Sequence, residues 1–308
     1  MLELSIDAGA EPAVFAVLAG VSEHPSDERV ARLIGFVASE LQVDASADVD
    51  SAPTPAQLAA LITDEPARAA VLQRLVLAAM LVPPLTATRL DRLEAYAAAL
   101  GRADEPALHD LRRTLEGRHR RLTAALMPRF PPTERLEAAW RRGGFGERWR
   151  FIKAVVRLGD RRTAARYQGL AELPPGTLGR DFFEHCQTNG FRLPGQRGGL
   201  PEPMVFHDMG HVLVGAPTDI DGEIRMAGFE AGCMGAGGFT MLEFSLLLFN
   251  LGAKLPTDAA PAVAQVDVGI LLDSYVSGRR TGFDLLAWDP WADVGEPVTA
   301  LRERYGIA

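Results

Sequence analysis

The sequence predicts an all-α protein made of two helical domains, residues 1–127 and 128–308. Apolar residues recur every three or four positions, as one face of a helix requires. Ser, Thr, Gly and Pro punctuate those runs where helices start and stop. Almost no segment alternates apolar with polar residues as a half-buried strand does.

Ser26 is placed to cap a helix whose apolar positions are Val30, Leu33, Ile34, Val37 and Leu41. The small, acidic stretch 44–55 reads as a loop. Leu72, Leu75, Val76, Ala79 and Met80 form the next stripe, which Pro83 and Pro84 must end, since proline lacks an amide hydrogen and clashes with the preceding turn. Thr86 caps a helix carrying Leu90, Leu93, Ala97 and Leu100, closed by Gly101. A polar, Arg-rich helix is expected over 105–126, and Pro128, Pro131 and Pro132 mark the domain boundary. Further on, helices are expected over 181–188, 240–251, 263–275 and 297–305, with a Gly/Pro loop spanning 195–203.

Composition is that of an ordinary globular chain, 47% hydrophobic and 23% charged. No run approaches the roughly 18–20 apolar residues of a membrane span. The first residues lack the basic start and apolar core of a signal peptide, and two cysteines, Cys186 and Cys233, make no disulfide framework. A cytoplasmic location is expected, peripheral to the inner face of the membrane. Charge is unevenly spread: residues 1–50 hold two Arg against ten Asp and Glu, and residues 128–170 hold eleven Lys and Arg against four Asp and Glu. Trp140, Phe145, Trp149 and Phe151 are interleaved with that basic run, which reads either as a surface helix paired with acidic neighbours or as a face for an anionic membrane surface. No nucleic-acid motif accompanies it.

The stretch Phe206 to Glu223 carries the chemistry. His207 and His211 are four apart, so both imidazoles project from one helix face and can close on one cation. Asp208 borders that face. Pro217 is expected to end the helix and Asp221-Gly222 to form a turn, after which Glu223 opens a second helix running to about Cys233 and returns a carboxylate from the opposite wall. The predicted metal ligands are therefore His207, Asp208, His211 and Glu223. Glu230, seven residues after Glu223 on the same helix face, is either a supporting partner or proton carrier of the site or the mate of Arg225 in a salt bridge. The competing reading, two core histidines satisfied by backbone carbonyls, is weakened by the spacing and the neighbouring carboxylates. A zincin helix is matched only in part, because Asp208 stands where that motif has its glutamate base and no third His follows. A His-Asp phosphohydrolase would use His185 and Asp267, but His211 has no place in that scheme.

The pattern His207-Asp208-x-x-His211, eleven residues, then Glu223 resembles the motif of the Coq-four family of ubiquinone biosynthesis. Similarity extends to Leu173 through Arg180, to Ala227 through Glu230 and to Trp288, over about residues 130–308. The Gly-rich helix end, Gly232 to Gly238, departs from the family's usual pattern. Residues 1–127 resemble the TerB-like helical domains, chiefly through Leu85 to Gly101, although Pro83 and Pro84 stand where that family often has an acidic turn. The Coq-four resemblance implies a helical protein that binds a divalent metal and membrane lipid, and acts on a polyprenylated 4-hydroxybenzoate-type precursor. Decarboxylation or oxidative decarboxylation at C1 is the expected reaction, and a non-catalytic scaffold that presents the precursor to other enzymes is the alternative. In the catalytic reading His207, Asp208, His211, Glu223 and Glu230 form the active site. Zinc is the first expectation for the metal, with iron, magnesium or manganese as alternatives. Expected partners are the isoprenoid precursor, a membrane surface, other quinone-biosynthesis proteins and a second copy of the chain. An apolar tunnel for the prenyl tail is expected among Met226, Phe229, Met241, Phe244, Leu247, Leu248, Ile270, Leu271 and Tyr275.

Overall fold

Every regular element is helical in the computed structural model, which describes residues 1–308 apart from 46–51, 139, 142–148, 150–151, 153–157, 258 and 308. The described residues contain no strand, only two isolated β-bridges, Thr177 to Pro297 and Leu251 to Val263. The chain is all-α. It divides into two compact units, residues 1–129 with 235–273, and residues 130–234 with 274–308. The boundary read at 127/128 lies near the first crossing, and Gly235–Asp273 groups with the N-terminal residues.

The first unit opens with α1 (Glu11–Ser22), an element the stripe criterion overlooks. Val14 through Ala19 and Val21 are all buried, so no polar face sets off an apolar one. Helix α2 (Glu28–Leu41) buries Val30, Leu33, Ile34 and Val37 as expected. Its cap is Asp27 rather than Ser26, and the Asp27 carboxylate accepts the Arg29 amide at 2.9 Å. The expected loop ends at Thr54, which caps an unforeseen α3 (Pro55–Leu61) in a reciprocal box with Gln57. Helix α4 (Glu65–Leu81) stops ahead of Pro83 and is buried on nearly every side. Helix α5 (Ala87–Ala99) starts at Thr86, as predicted. The single helix expected over 105–126 is two, α6 (Pro106–Leu115) and α7 (His119–Leu126), separated where Gly117 takes φ +69°.

Part of the basic run, including Arg142, Phe145, Arg148, Arg150, Phe151, Lys153 and Arg157, falls outside the described residues. Within the second unit, Arg141 pairs with Glu137 at 3.6 Å. Arg166 pairs with Glu202 at 3.0 Å and lies 3.6 Å over the Trp291 ring.

Helix α8 (Arg161–Gln168) is followed by α9 (Leu178–Thr188), which begins earlier than the sequence suggested. The Leu178 and Gly179 amides donate to the carbonyls of Glu296 and Val294, at 3.0 and 2.8 Å, and so anchor that first turn. Next come α10 (Val205–Val214) and α11 (Ile220–Cys233). The chain then returns to the first unit with α12 (Gly238–Phe249), after which the Asn250 amide donates to Met80 and Leu81 carbonyls at 2.7 and 2.9 Å, satisfying acceptors that the end of α4 leaves free. Helix α13 (Val268–Arg280) starts later than expected, since Val263 is engaged in the bridge to Leu251. Two short helices close the chain, α14 (Pro290–Asp293) and α15 (Val298–Tyr305). Buried Trp288 donates to Asp293 at 2.8 Å, and Asp293 also holds Arg304 and Tyr305. The Gly-rich end of α11 serves packing: a Cβ on Gly232 would lie 2.3 Å from the Tyr275 carbonyl. Among the described residues, no helix is long and apolar enough to cross a membrane.

Candidate metal centre

Helix α10 presents His207 and His211, four apart, on one face, and ends at Gly215 (φ 76°) rather than at Pro217. Asp219 caps α11 by accepting the Gly222 amide at 2.9 Å, so Asp221 and Gly222 belong to the helix and not to a turn, and Glu223 sits in its first turn. The hairpin therefore does what the spacing required, with the helix starting three residues sooner. Gly222 is needed there, because a Cβ would come 1.9 Å from the Pro217 carbonyl oxygen.

That carbonyl orients a donor. His211 Nδ1 donates to Pro217 O at 3.0 Å and to Ala216 O at 3.2 Å. His207 Nδ1 donates to Glu230 Oε1 at 2.8 Å. With both Nδ1 atoms occupied, both Nε2 atoms are left to bind a cation, and they face each other at 3.3 Å. Glu223 faces both, one carboxylate oxygen, Oε2, 3.5 Å from His207 Nε2 and the other, Oε1, 3.4 Å from His211 Nε2. These three residues offer ligand atoms that lie within 4.8 Å of one another and can hold a metal ion. Donors about 2.0–2.1 Å from a tetrahedral ion stand about 3.3–3.4 Å apart, and the two imidazole nitrogens, at 3.3 Å, match one edge of such a coordination shell.

Asp208 is not in this trio. Burial raises its pKa above the usual carboxylate value, against the lowering effect of His207 and His211. It also lies near Cys186, whose thiol is pushed up to about 12 by burial and by the Asp208 charge. Glu230 is 1% exposed and pairs with His207 at 2.8 Å, whereas Arg225 on the same helix is exposed. Burial opposes a charge on His207, yet the Glu230 and Glu223 carboxylates hold its pKa well above the ordinary imidazole value. Burial would likewise raise Glu223, but hydrogen bonds from His207 and His211 bring it down to about 2. A proton thus sits among these groups when no cation does. Sequence reasoning gave no role here to His185, whose ring lies 6.0 Å from that of His211. Burial and the His211 charge lower its pKa. A single His in the last turn of α9 carries no spacing signal, so only the fold brings it close. Asp267 is exposed and caps the start of α13 through the Ile270 amide, at 3.0 Å.

Two outcomes test the supports. Glu230→Gln keeps an acceptor but removes the charge that makes His207 a stronger donor to metal, and a tenfold to hundredfold loss of affinity is expected. Competition against a chromophoric chelator measures it, and an unchanged affinity would reduce Glu230 to a core residue. Gly222→Ala must displace Pro217 O and with it the His211 ring. It should lower both the melting temperature and metal affinity, and a loss of neither would show that the loop yields freely.

Fold and site together define an all-α protein with a two-histidine, one-carboxylate centre suited to a divalent cation. The chain is similar to the protein named ubiquinone biosynthesis protein COQ4 homolog, mitochondrial, of Xenopus tropicalis, being 26% identical over 155 residues, 46% of this chain and 51% of that protein. It thus spans about half the length of the curated relative it matches. This supports the resemblance to the Coq-four family carried by the motif. No protein-family model matches the chain, and no solved structure matches it significantly.

Proposed function

We propose that the chain is a metal-dependent ubiquinone-biosynthesis protein that removes the C1 carboxyl of a polyprenylated 4-hydroxybenzoate-type precursor. The observation that carries this reading is the convergence of His207, His211 and Glu223, with the two Nε2 atoms 3.3 Å apart and each within 3.5 Å of one oxygen of the Glu223 carboxylate. The similarity to a protein named for ubiquinone biosynthesis supplies the pathway. The 3.3 Å separation of the two nitrogens suits a tetrahedral zinc ion better than a small octahedral one, whose donors at about 2.0–2.1 Å would stand only about 3 Å apart. Three protein donors leave a position for a substrate oxygen, and this favours catalysis over a closed, structural site.

A divalent ion held by His207, His211 and Glu223 would supply Lewis acidity to the carboxylate or the phenol oxygen of the ring. The residues do the remainder. His207 and His211 are oriented as donors through their Nδ1 bonds. Glu223 supplies the anionic donor, Glu230 keeps the His207 proton on Nδ1, and Asp208 adds a nearby carboxylate to the field without joining the trio. In simple decarboxylation the ring gains a proton as carbon dioxide leaves. In the oxidative version, dioxygen and a two-electron donor place a hydroxyl on the ring and release carbon dioxide and water. The precursor is too apolar to diffuse through water, so a peripheral encounter with the bilayer is part of the proposal. Met226 and Phe229 on α11, both buried, offer apolar surface on the same helix as Glu223 and Glu230.

The test is incubation of metal-loaded protein with a prenylated 4-hydroxybenzoate, with and without dioxygen and reductant, followed by mass spectrometry of the extracted lipid. Loss of carbon dioxide that disappears in Glu223→Ala is expected. Recovery of intact precursor, bound but unchanged under every condition, would establish the scaffold reading instead.

A further inference from the structure

A third imidazole stands beside the three donors. His185 lies on α9, in the same unit as the centre, with its ring centroid 6.0 Å from that of His211 and its plane tilted by 34°. His211, Glu223 and His207 are all close enough for their charges to act on it. Its Nε2 atom is buried and has no hydrogen-bond partner. A buried ring nitrogen left unpaired is costly, and a ligand reaching it could supply the missing hydrogen bond.

The fold fixes this ring in place. Phe182 and Cys186, on either side of His185 along α9, are buried. The first turn of α9 is tied by the Leu178 and Gly179 amides, and the Thr218 hydroxyl donates to Asn189 at 2.9 Å just past its last turn. Phe191 sits edge-on to the imidazole with centroids 5.8 Å apart, and it is 43% exposed. His185 is not in the group whose ligand atoms lie within 4.8 Å of one another, so its position does not enlarge the donor set. A polar nitrogen, an exposed aromatic face and a cation-binding trio thus occur side by side. That combination suits a small aromatic molecule bearing an acid or phenol oxygen: the oxygen meets the imidazole and the cation, and the ring meets Phe191.

We propose that His185 is the hydrogen-bonding contact for the oxygen-bearing aromatic head of the ligand held at this centre. The proposal rests on the metal-centre reading above, and the two fail in different ways. The experiment loads full-length protein with Co2+, counts the bound metal, and titrates 4-hydroxybenzoate while following the visible cobalt spectrum. His185→Phe should keep one equivalent of cobalt and its affinity for it, yet bind 4-hydroxybenzoate at least about tenfold more weakly, the effect of losing one hydrogen bond to a charged group. His185→Gln, which restores a polar atom, should recover part of that loss and guards against a folding defect in the Phe variant. Binding of 4-hydroxybenzoate to His185→Phe within twofold of wild type would overturn the proposal, as would loss of cobalt from that variant, which would make His185 a metal donor. A cobalt-loaded wild type whose spectrum ignores 4-hydroxybenzoate overturns it too. A wild type that takes up no cobalt overturns the metal-centre reading itself.

Discussion

Replacement of His207, His211 or Glu223 by Ala is expected to abolish stoichiometric binding of a divalent metal, each variant losing on the order of a thousandfold or more in affinity. Each change deletes one of the three donors, and no further residue joins that group among the described residues. Asp208→Asn should retain metal, because that carboxylate stands outside the trio. The folded state should survive in all four, since the unit has an apolar core apart from the site. Uptake must also depend on pH in a defined direction. The carboxylates of Glu230 and Glu223 hold a proton on His207 well above the usual imidazole range, despite burial. A metal has to displace that proton, so affinity rises with pH until the His207 pKa is passed, and binding in weak buffer at neutral pH should release about one proton per metal. Elemental analysis after dialysis, with a pH-stat titration beside it, reads both. A full equivalent of metal in the three Ala variants would remove the assignment.

Glu243→Gln is expected to stabilise the protein increasingly as the pH rises. Glu243 is fully buried on α12, and neither carboxylate oxygen has a hydrogen-bond partner. Its nearest cation, Arg129, stands at 3.5 Å and is engaged with Asp110. Burial pushes the Glu243 pKa up to about 8 from 4.5, against the attraction of Arg129 and with the help of the Asp110 and Glu105 charges. Between those two values the folded chain holds a proton that the unfolded chain has released. The stability this gives is therefore complete below pH 4.5 and is lost as the pH rises through about 8. Gln mimics the protonated acid at every pH. The gain of the variant over wild type should grow with a slope approaching about 1.4 kcal/mol per pH unit inside that window. Each kcal/mol should raise the melting temperature by about 2–4 °C. Melting curves of both proteins from pH 5 to 9 measure the difference, and parallel curves would mean that Glu243 is ionised and paired throughout.

The sequence by itself determined the helical class, the helix carrying His207 and His211, and the return of Glu223. Each is a matter of local period and of residues with fixed conformational limits. The apolar stripe of α2, the stop ahead of Pro83 and the cap at Thr86 are of that kind. Local signals failed where burial is uniform or where a longer-range bond decides. Helix α1 is apolar on every side and offers no contrast. The start of α9 is set by carbonyls more than a hundred residues away, those of Glu296 and Val294. At the site, tertiary structure alone left Asp208 out of the trio, joined Glu230 to His207, and brought an unpaired His185 beside His211. Spacing along one helix fixes which side chains share a face. Which atoms from other segments meet that face depends on how helices pack, and no period in the sequence records it.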